Sequence, residues 1–178
     1  AGLMAAFRLA SLRAQKKIAP VNIRLIERRP AIGRKLLIAG SSGLNITHEH
    51  ANAAEFSAVY SHPEKILPAL VAFTPRQWCE WIQSELGIDT FMGTSLRFFI
   101  EDKKAAQMVK RWEERLRELG VEIGKQTTWT AQSQQADFTV LAIGGGSWEE
   151  LPLGVETELG KTWGVETAPF RAANCGYQ

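Results

Sequence analysis

Residues 33–48 read GRKLLIAGSSGLNITH, and this stretch decides how the rest of the chain is interpreted. It follows a short apolar run, Val21–Ile26, that ends in an acid, Glu27. Its glycines let the backbone approach a ligand closely and present N–H groups. Arg34 and Lys35 can neutralise phosphate. Dinucleotide-binding proteins typically have a strand that ends in an acid. A strand of this kind that leads into a basic, glycine-rich loop therefore indicates a dinucleotide site.

Composition bounds the class of protein. The chain has 178 residues, of which 45% are hydrophobic and 22% charged, as in a globular domain of ordinary size. The net charge of +2 is too small to favour a nucleic-acid partner. No apolar run approaches the roughly 20 residues that span a bilayer, so we expect no membrane association. Cys79 and Cys175 lie far apart, and we expect free thiols and a cytoplasmic location.

The first part of the chain predicts a helix followed by a strand. Apolar residues recur at helical spacing over residues 2–17, Pro20 ends the helix, and Val21–Ile26 reads as a buried strand. The absence of acids from residues 1–26 also fits an organellar transit peptide. We favour the helix because the strand after it completes a βαβ rhythm. Residues 28–46 are predicted to be mostly loop, broken by the apolar run Leu36–Ala39.

Farther along, the sequence predicts more helices and short strands. Thr74 and Gln77 form a capping box, and the helix that they open ends at Gly87. Asp102 opens an amphipathic helix that stops at Gly120. The other predicted elements are a helix over 63–72, two strands within 91–100, short strands over 121–123 and 127–130, and a strand over 138–143 buried on both faces.

Each candidate site has an ordinary structural alternative. Glu27 follows Gly2 by 25 residues, near the roughly 20 that separate a fingerprint glycine from the ribose-binding acid. Any helix and strand ending in an acid would show the same pattern. The glycines at 144–146 follow the last predicted strand and suit either a ligand at the sheet edge or a tight turn. His48 and His50 would share one face of a strand, but their spacing predicts no metal site.

Three motifs stand in order along the chain: AGLMAA at its start, GRKLLIAGSSGLNITH, and ADFTVLAIGGGSW at 136–148. Together with LRFFIEDKKAAQMVKRW (96–112) and ANCGY (173–177), they resemble the YhiN/BaiN-like flavoproteins. These are FAD-dependent oxidoreductases on a glutathione-reductase-like FAD-binding fold. The resemblance implies FAD as cofactor, and it carries over no substrate because the family has no agreed one.

The resemblance also implies which residues meet the cofactor. Gly2 matches the last fingerprint glycine, and Glu27, with Arg28 beside it, matches the ribose-binding acid. The residues matched to the dinucleotide loop are Gly33, Arg34, Lys35 and Leu36; those near the isoalloxazine are Gly43, Asn45 and Thr47; those of the later glycine pair are Gly144 and Gly145.

The sequence departs from the family pattern in several places. The first strand and two fingerprint glycines are missing. Ser41 and Ser42 stand where the family tends to have glycine or a basic residue, and Leu96 and Ile100 replace what look like a glycine and a proline. The chain stops near Gly176, where the family continues into an inserted domain. These departures predict a truncated copy of the family fold.

We therefore predict an α/β protein with a Rossmann-like FAD/NAD(P)-binding fold, incomplete at both ends. Residues 1–178 would form one partial FAD-binding domain, with a helical and short-strand excursion over about 50–120. The predicted function is an FAD-binding oxidoreductase of unknown substrate, with NAD(P)H as a candidate electron donor and no side chain singled out as catalytic. The alternatives are a non-catalytic remnant and an NAD(P)-binding Rossmann domain.

Overall fold

The computed structural model describes residues 1–39, 44–50, 52–100, 105–128, 136–143 and Gly164. Within these ranges, helices alternate with short strands that form a parallel pair and an antiparallel sheet of three. The elements are α1 (Gly2–Ala14), β1 (Arg24–Glu27), α2 (Arg34–Ala39), β2 (Asn45–His48), α3 (Ala53–Ser57), α4 (Pro63–Ala72), α5 (Pro75–Leu86), β3 (Thr90–Met92), β4 (Arg97–Ile100), α6 (Ala105–Glu118) and β5 (Glu122–Lys125).

The parallel pair β1–β5 gives the chain its Rossmann character. Arg24 lies opposite Glu122, and Glu27 lies opposite Lys125. Parallel neighbours require a crossover connection, and α6 is the helix that leads into β5. Because α1 packs against both β1 and α6, the helices cover this pair of strands. The carboxyl ends of the two strands therefore meet at one edge.

The hydrophobic core is built on the apolar stripe of α6, which the sequence predicts from its helical period. The five residues of this stripe within α6 are buried: Ala105, Met108, Val109, Trp112 and Leu116. Phe7 and Ala10 of α1 and Ile82 of α5 belong to the same cluster. Each large apolar side chain buried there contributes about 1.5–3 kcal/mol. One core therefore holds α1, α5 and α6 together.

The excursion forms the helices and strands that its sequence predicts. The Thr74 hydroxyl accepts the Gln77 N–H at 3.3 Å, and the Gln77 side chain accepts the Thr74 N–H at 2.8 Å, which confirms the capping box. α5 ends at Gly87, whose φ of 62° is the left-handed conformation that glycine favours. β4 pairs antiparallel with both β2 and β3. The predicted helix over 63–72 is present as α4.

The prediction of loop over residues 28–46 is wrong at residues 34–39 and at 45–46, and residues 40–43 lie outside the described ranges. α2 occupies Arg34–Ala39, and β2 begins at Asn45. The Gly33 carbonyl accepts the N–H groups of Leu36 and Leu37, so the glycine turn itself starts the helix. The sequence RKLLIA consists of good or acceptable helix formers. Because glycines lie on both sides of this short helix, the sequence pattern did not indicate it.

Two strand predictions also need correction. The strand after Pro20 is Arg24–Glu27 instead of Val21–Ile26. It is not fully buried, because Arg24 is exposed and the three residues after it are partly exposed. Residues 138–143 are neither a strand nor buried, since Phe138 is 92% exposed and Ile143 59% exposed. A strand buried on both faces needs neighbours that hydrogen-bond to it and layers that cover it. The described residues pair no strand with this run.

The predicted strand over 127–130 does not form at residues 127 and 128, and residues 129 and 130 lie outside the described ranges. Gln126 has a left-handed φ of 53°, which ends β5. The Thr127 N–H then turns back to donate to the carbonyl oxygen of Glu27 at 3.1 Å. A turn tied to β1 has replaced a continuing strand.

The turn between β3 and β4 provides a test of backbone strain. Leu96 has a φ of 59°, although its side chain is 48% exposed. This is the position where the family resemblance places glycine. We expect Leu96→Gly to stabilise the fold by about 0.5–1 kcal/mol, because glycine adopts this conformation without a Cβ clash. Urea unfolding measures the change. Leu96→Ala keeps the Cβ, so a comparable gain from alanine would refute the strain argument.

A second test concerns the ion pairs that fasten β5 to α6. Glu113 bonds Lys125 Nζ at 2.7 Å and Arg117 Nη2 at 3.0 Å. Burial acts to raise the pKa of Glu113, but the hydrogen bonds from Lys125 and Arg117 outweigh it, so the pKa lies below its usual value of 4.5. A lowered folded-state pKa contributes stability that is present above pH 4.5 and is lost as the pH falls through the folded value.

We therefore expect Glu113→Gln to cost about 1–2 kcal/mol at neutral pH. The difference between the variant and the wild type should vanish in acid. Unfolding curves measured at several pH values test this. Glu114→Gln removes the exposed partner of Lys110 at 3.8 Å and should change little at any pH. A cost for Glu113→Gln that does not depend on pH would contradict the charge argument.

Candidate dinucleotide site

The edge where β1 and β5 end is fastened by hydrogen bonds around Glu27. The Glu27 carboxylate accepts the backbone N–H of Arg29 at 2.9 Å. Its carbonyl accepts the N–H of Thr127 at 3.1 Å, and the Arg29 carbonyl accepts the N–H of Gln126 at 3.1 Å. Because the chain leaving β1 is bonded to the chain leaving β5, the Glu27 side chain is fixed at the carboxyl edge of the pair. That edge is where open α/β sheets bind ligands.

The start of α1 has the positive potential of a helix N-terminus. Ala1 is its N-cap residue, no side chain in the described part of the chain caps it, and its first turn has no acid. By contrast, α5 begins with a complete capping box. The first N–H groups of a helix have no partner within the helix, and the helix dipole adds positive potential there. The start of α1 is therefore suited to an anion such as a phosphate.

Gly33 brings the turn after β1 against the helices. It has a φ of 66°, and a Cβ built on it would lie 3.0 Å from Val109 Cγ2 and 3.7 Å from Leu3 Cδ1. Ile32, directly before it, is 1% exposed. Gly33 is thus held between α6 and the first turn of α1, which places the basic turn beside the helix start.

Gly2 brings a third segment to the same place. A Cβ on Gly2 would lie 3.2 Å from Cβ of Ala142. The apolar run 138–143 therefore passes the start of α1, just before the glycines at 144–146. The structure gathers the helix start, the turn after β1 and the end of this run, as a dinucleotide-binding edge requires.

The other predicted site residues divide into four groups. Leu36 packs on the core from α2. Arg28, Arg34 and Lys35 each take part in a polar or ring interaction within the fold. Asn45 and Thr47 lie on β2 and pair with Phe99 and Phe98 of β4, in a different sheet from Glu27. Gly43, Gly144 and Gly145 lie outside the described residues, as do Ser41 and Ser42. The cofactor roles of all these residues remain predictions.

Sequence reasoning missed one cleft, which lies beyond the end of β2. It contains Glu49, His50 and Arg76, and the imidazole rings of His48 and His50 contact each other with centroids 4.7 Å apart. The sequence His48-Glu49-His50 was the one available indication of this cleft, because alternate residues at the end of a strand share a face and the two histidines would therefore lie together. The sequence does not connect Arg76 with Glu49 and His50, because it is the packing of α5 near β2 that brings them together.

The described ranges contain no cluster of three or more His, Cys, Asp or Glu residues placed to hold a metal ion. In the same ranges, no helix has the length and apolar character that crossing a bilayer requires. Cys79 is a free, buried thiol, and burial raises its pKa above the usual value of 9.0.

A parallel strand pair with a helix packed on it, and a glycine turn against the first turn of that helix, form a Rossmann-type α/β arrangement. The model of the HI0933-like protein Rossmann domain matches residues 1–157, and the chain belongs to that family. This confirms both the family resemblance and the predicted Rossmann-like α/β class. No curated protein sequence matches the chain.

The position of Gly33 can be tested by adding a methyl group. Gly33→Ala should destabilise the fold by about 2–4 kcal/mol, because it adds left-handed strain to a clash with Val109. Gly87→Ala is the matched control, since Gly87 also has positive φ but nothing within 4 Å of its added Cβ. It should cost only about 1 kcal/mol. Equal costs in urea unfolding would show that Gly33 is not packed between the helices.

Proposed function

We propose that the chain is an FAD-binding flavoprotein, an oxidoreductase whose substrate is undetermined. The observation that carries the proposal is the packing of the Gly33 turn against Leu3 in the first turn of α1, six residues after Glu27 ends β1. Membership of the Rossmann-domain family supports a dinucleotide ligand. The resemblance in GRKLLIAG supports FAD as that dinucleotide.

Glu27 suits a ribose. Its carboxylate accepts one hydrogen bond from the Arg29 N–H, at 2.9 Å. An ionised carboxylate offers about four acceptor positions, so capacity remains for the two hydroxyl groups of a ribose. The bond from Arg29 also fixes the orientation of the carboxylate, which reduces the entropy lost on binding.

The phosphates would lie between the start of α1 and the turn after β1. The first N–H groups of α1 would donate to the pyrophosphate. Gly33 holds the turn close enough for Arg34 and Lys35, which follow it, to add positive charge. These two cations already have interactions within the fold, so they would act through the positive electrostatic potential that they add near the phosphates.

Bound FAD supplies two-electron redox chemistry, and the protein supplies binding, orientation and electrostatics. By the family resemblance, the isoalloxazine would lie near Gly43, Asn45 and Thr47, with Gly144 and Gly145 against the cofactor. NAD(P)H is the proposed electron donor.

The experiment is to purify the 178-residue protein, saturate it with FAD, desalt it and measure flavin absorbance. We expect bound flavin to survive desalting. Glu27→Gln should weaken FAD binding about tenfold, since it replaces charge-assisted hydrogen bonds to ribose with neutral ones. Glu122→Gln is the matched control. It removes an acid at the other end of the same strand pair, where Glu122 bonds Arg24 at 3.1 Å.

The other outcomes are distinct. A folded, colourless protein that binds NADPH would replace this proposal with an NAD(P)-binding Rossmann domain. A colourless protein that aggregates would favour a non-catalytic remnant. Equal losses from Glu27→Gln and Glu122→Gln would show that FAD, if bound, is not held at the edge described here.

A further inference from the structure

A separate cleft of about 260 Å³ opens between the end of β2 and the start of α5, away from the strand pair β1–β5. This volume is just below the range of about 300–1,000 Å³ that is typical of sites for small organic ligands. Its walls combine a few polar groups with apolar and aromatic ones, as such sites do. The lining residues used below are Glu49, His50, Phe56, Leu70, Pro75 and Arg76.

The charge that this cleft presents to solvent is positive. Arg76 Nη2 bonds Glu49 Oε2 at 2.7 Å, so the pair is neutral as a whole. The Glu49 side chain is only 20% exposed, however, whereas that of Arg76 is 67% exposed. A guanidinium has five N–H donors, and a single contact with Glu49 leaves most of them for another acceptor. The accessible half of the ion pair is therefore the cation.

The opposite wall of the cleft is aromatic and apolar. The His50 ring stacks on the Phe56 ring with centroids 4.0 Å apart and planes 14° apart. Leu70 of α4 and Pro75 of α5 complete this wall. Stacking against His50 fixes the Phe56 ring, so a flat ligand would meet a surface that is already ordered.

Two sets of hydrogen bonds hold the cleft in shape. The Glu49 N–H donates to the carbonyl of Leu96 at 2.8 Å, which ties the chain after β2 to the β3–β4 turn. The Thr74 capping box fixes the start of α5, from which Arg76 projects. The two partners of the ion pair thus belong to separately anchored elements.

We propose that this cleft binds a small carboxylate with a flat apolar body. The carboxylate pairs with Arg76, and the body lies along Phe56 and Leu70. Glu49 orients the guanidinium and, as a like charge, limits the affinity for the anion. The proposal stands independently of FAD, because none of its residues belongs to the Glu27 edge.

The test is a titration of the isotope-labelled 178-residue protein followed by amide chemical shifts. The probes are phenylacetate and its neutral isostere, phenylacetamide. We expect phenylacetate to bind about fivefold more tightly than the amide, with shifts centred on Phe56 and Arg76. Arg76→Gln should abolish that preference, whereas Arg111→Gln, an exposed charge-matched change on α6, should preserve it.

Glu49→Gln sharpens the test, because removing the competing carboxylate should strengthen phenylacetate binding. Equal affinity for the two probes, shifts centred elsewhere, or no binding up to the solubility limit would each overturn the proposal. The comparison of acid with amide uses the wild-type protein, so it decides the question even if a variant fails to fold.

Discussion

The contact that the rest of the structure depends on is the close approach of Gly33 to Val109 and Leu3. It joins the turn after β1 to both the last described helix and the first one. Without a side chain at position 33, the turn can adopt positive φ and settle onto the core while starting α2. A larger residue would push the turn outward and separate the basic residues from the start of α1. The same glycine therefore serves packing and the candidate site.

Sequence patterns predicted those elements whose signals are local. The stripe of α6 follows from its spacing of apolar residues, and α5 is bounded by Thr74 and Gly87, whose capping preferences are strong. Both are long enough for periodicity to be clear. α2 and β2 escaped detection because they are short and lie among glycines and serines, where turn propensity dominates. Their structure depends on Leu36 reaching the core and on pairing with β4.

Burial of a strand cannot be deduced from its composition alone. The run 138–143 is apolar except for Thr139, yet its residues are exposed, and no strand of the described chain pairs with it. A continuous apolar run indicates that a segment could be covered, and the neighbours determine whether it is. The candidate site divides similarly. The acid Glu27 and the glycine turn could be identified from the sequence. The contacts of Gly2 with Ala142 and of Glu49 with Arg76 could be identified only from the fold.

The excursion is part of the same core as the strand pair. Trp81 of α5 meets Phe7 of α1 edge-on at 4.9 Å and Trp112 of α6 at 4.8 Å. Aromatic contacts of this kind add about 0.5–1.5 kcal/mol each to the energy of burial. α5 also carries Arg76 at its start, so the helix that forms one wall of the cleft is fastened to the helix whose start faces the candidate dinucleotide edge. Because one apolar cluster includes residues of α1, α5 and α6, the two regions should unfold as a single cooperative unit.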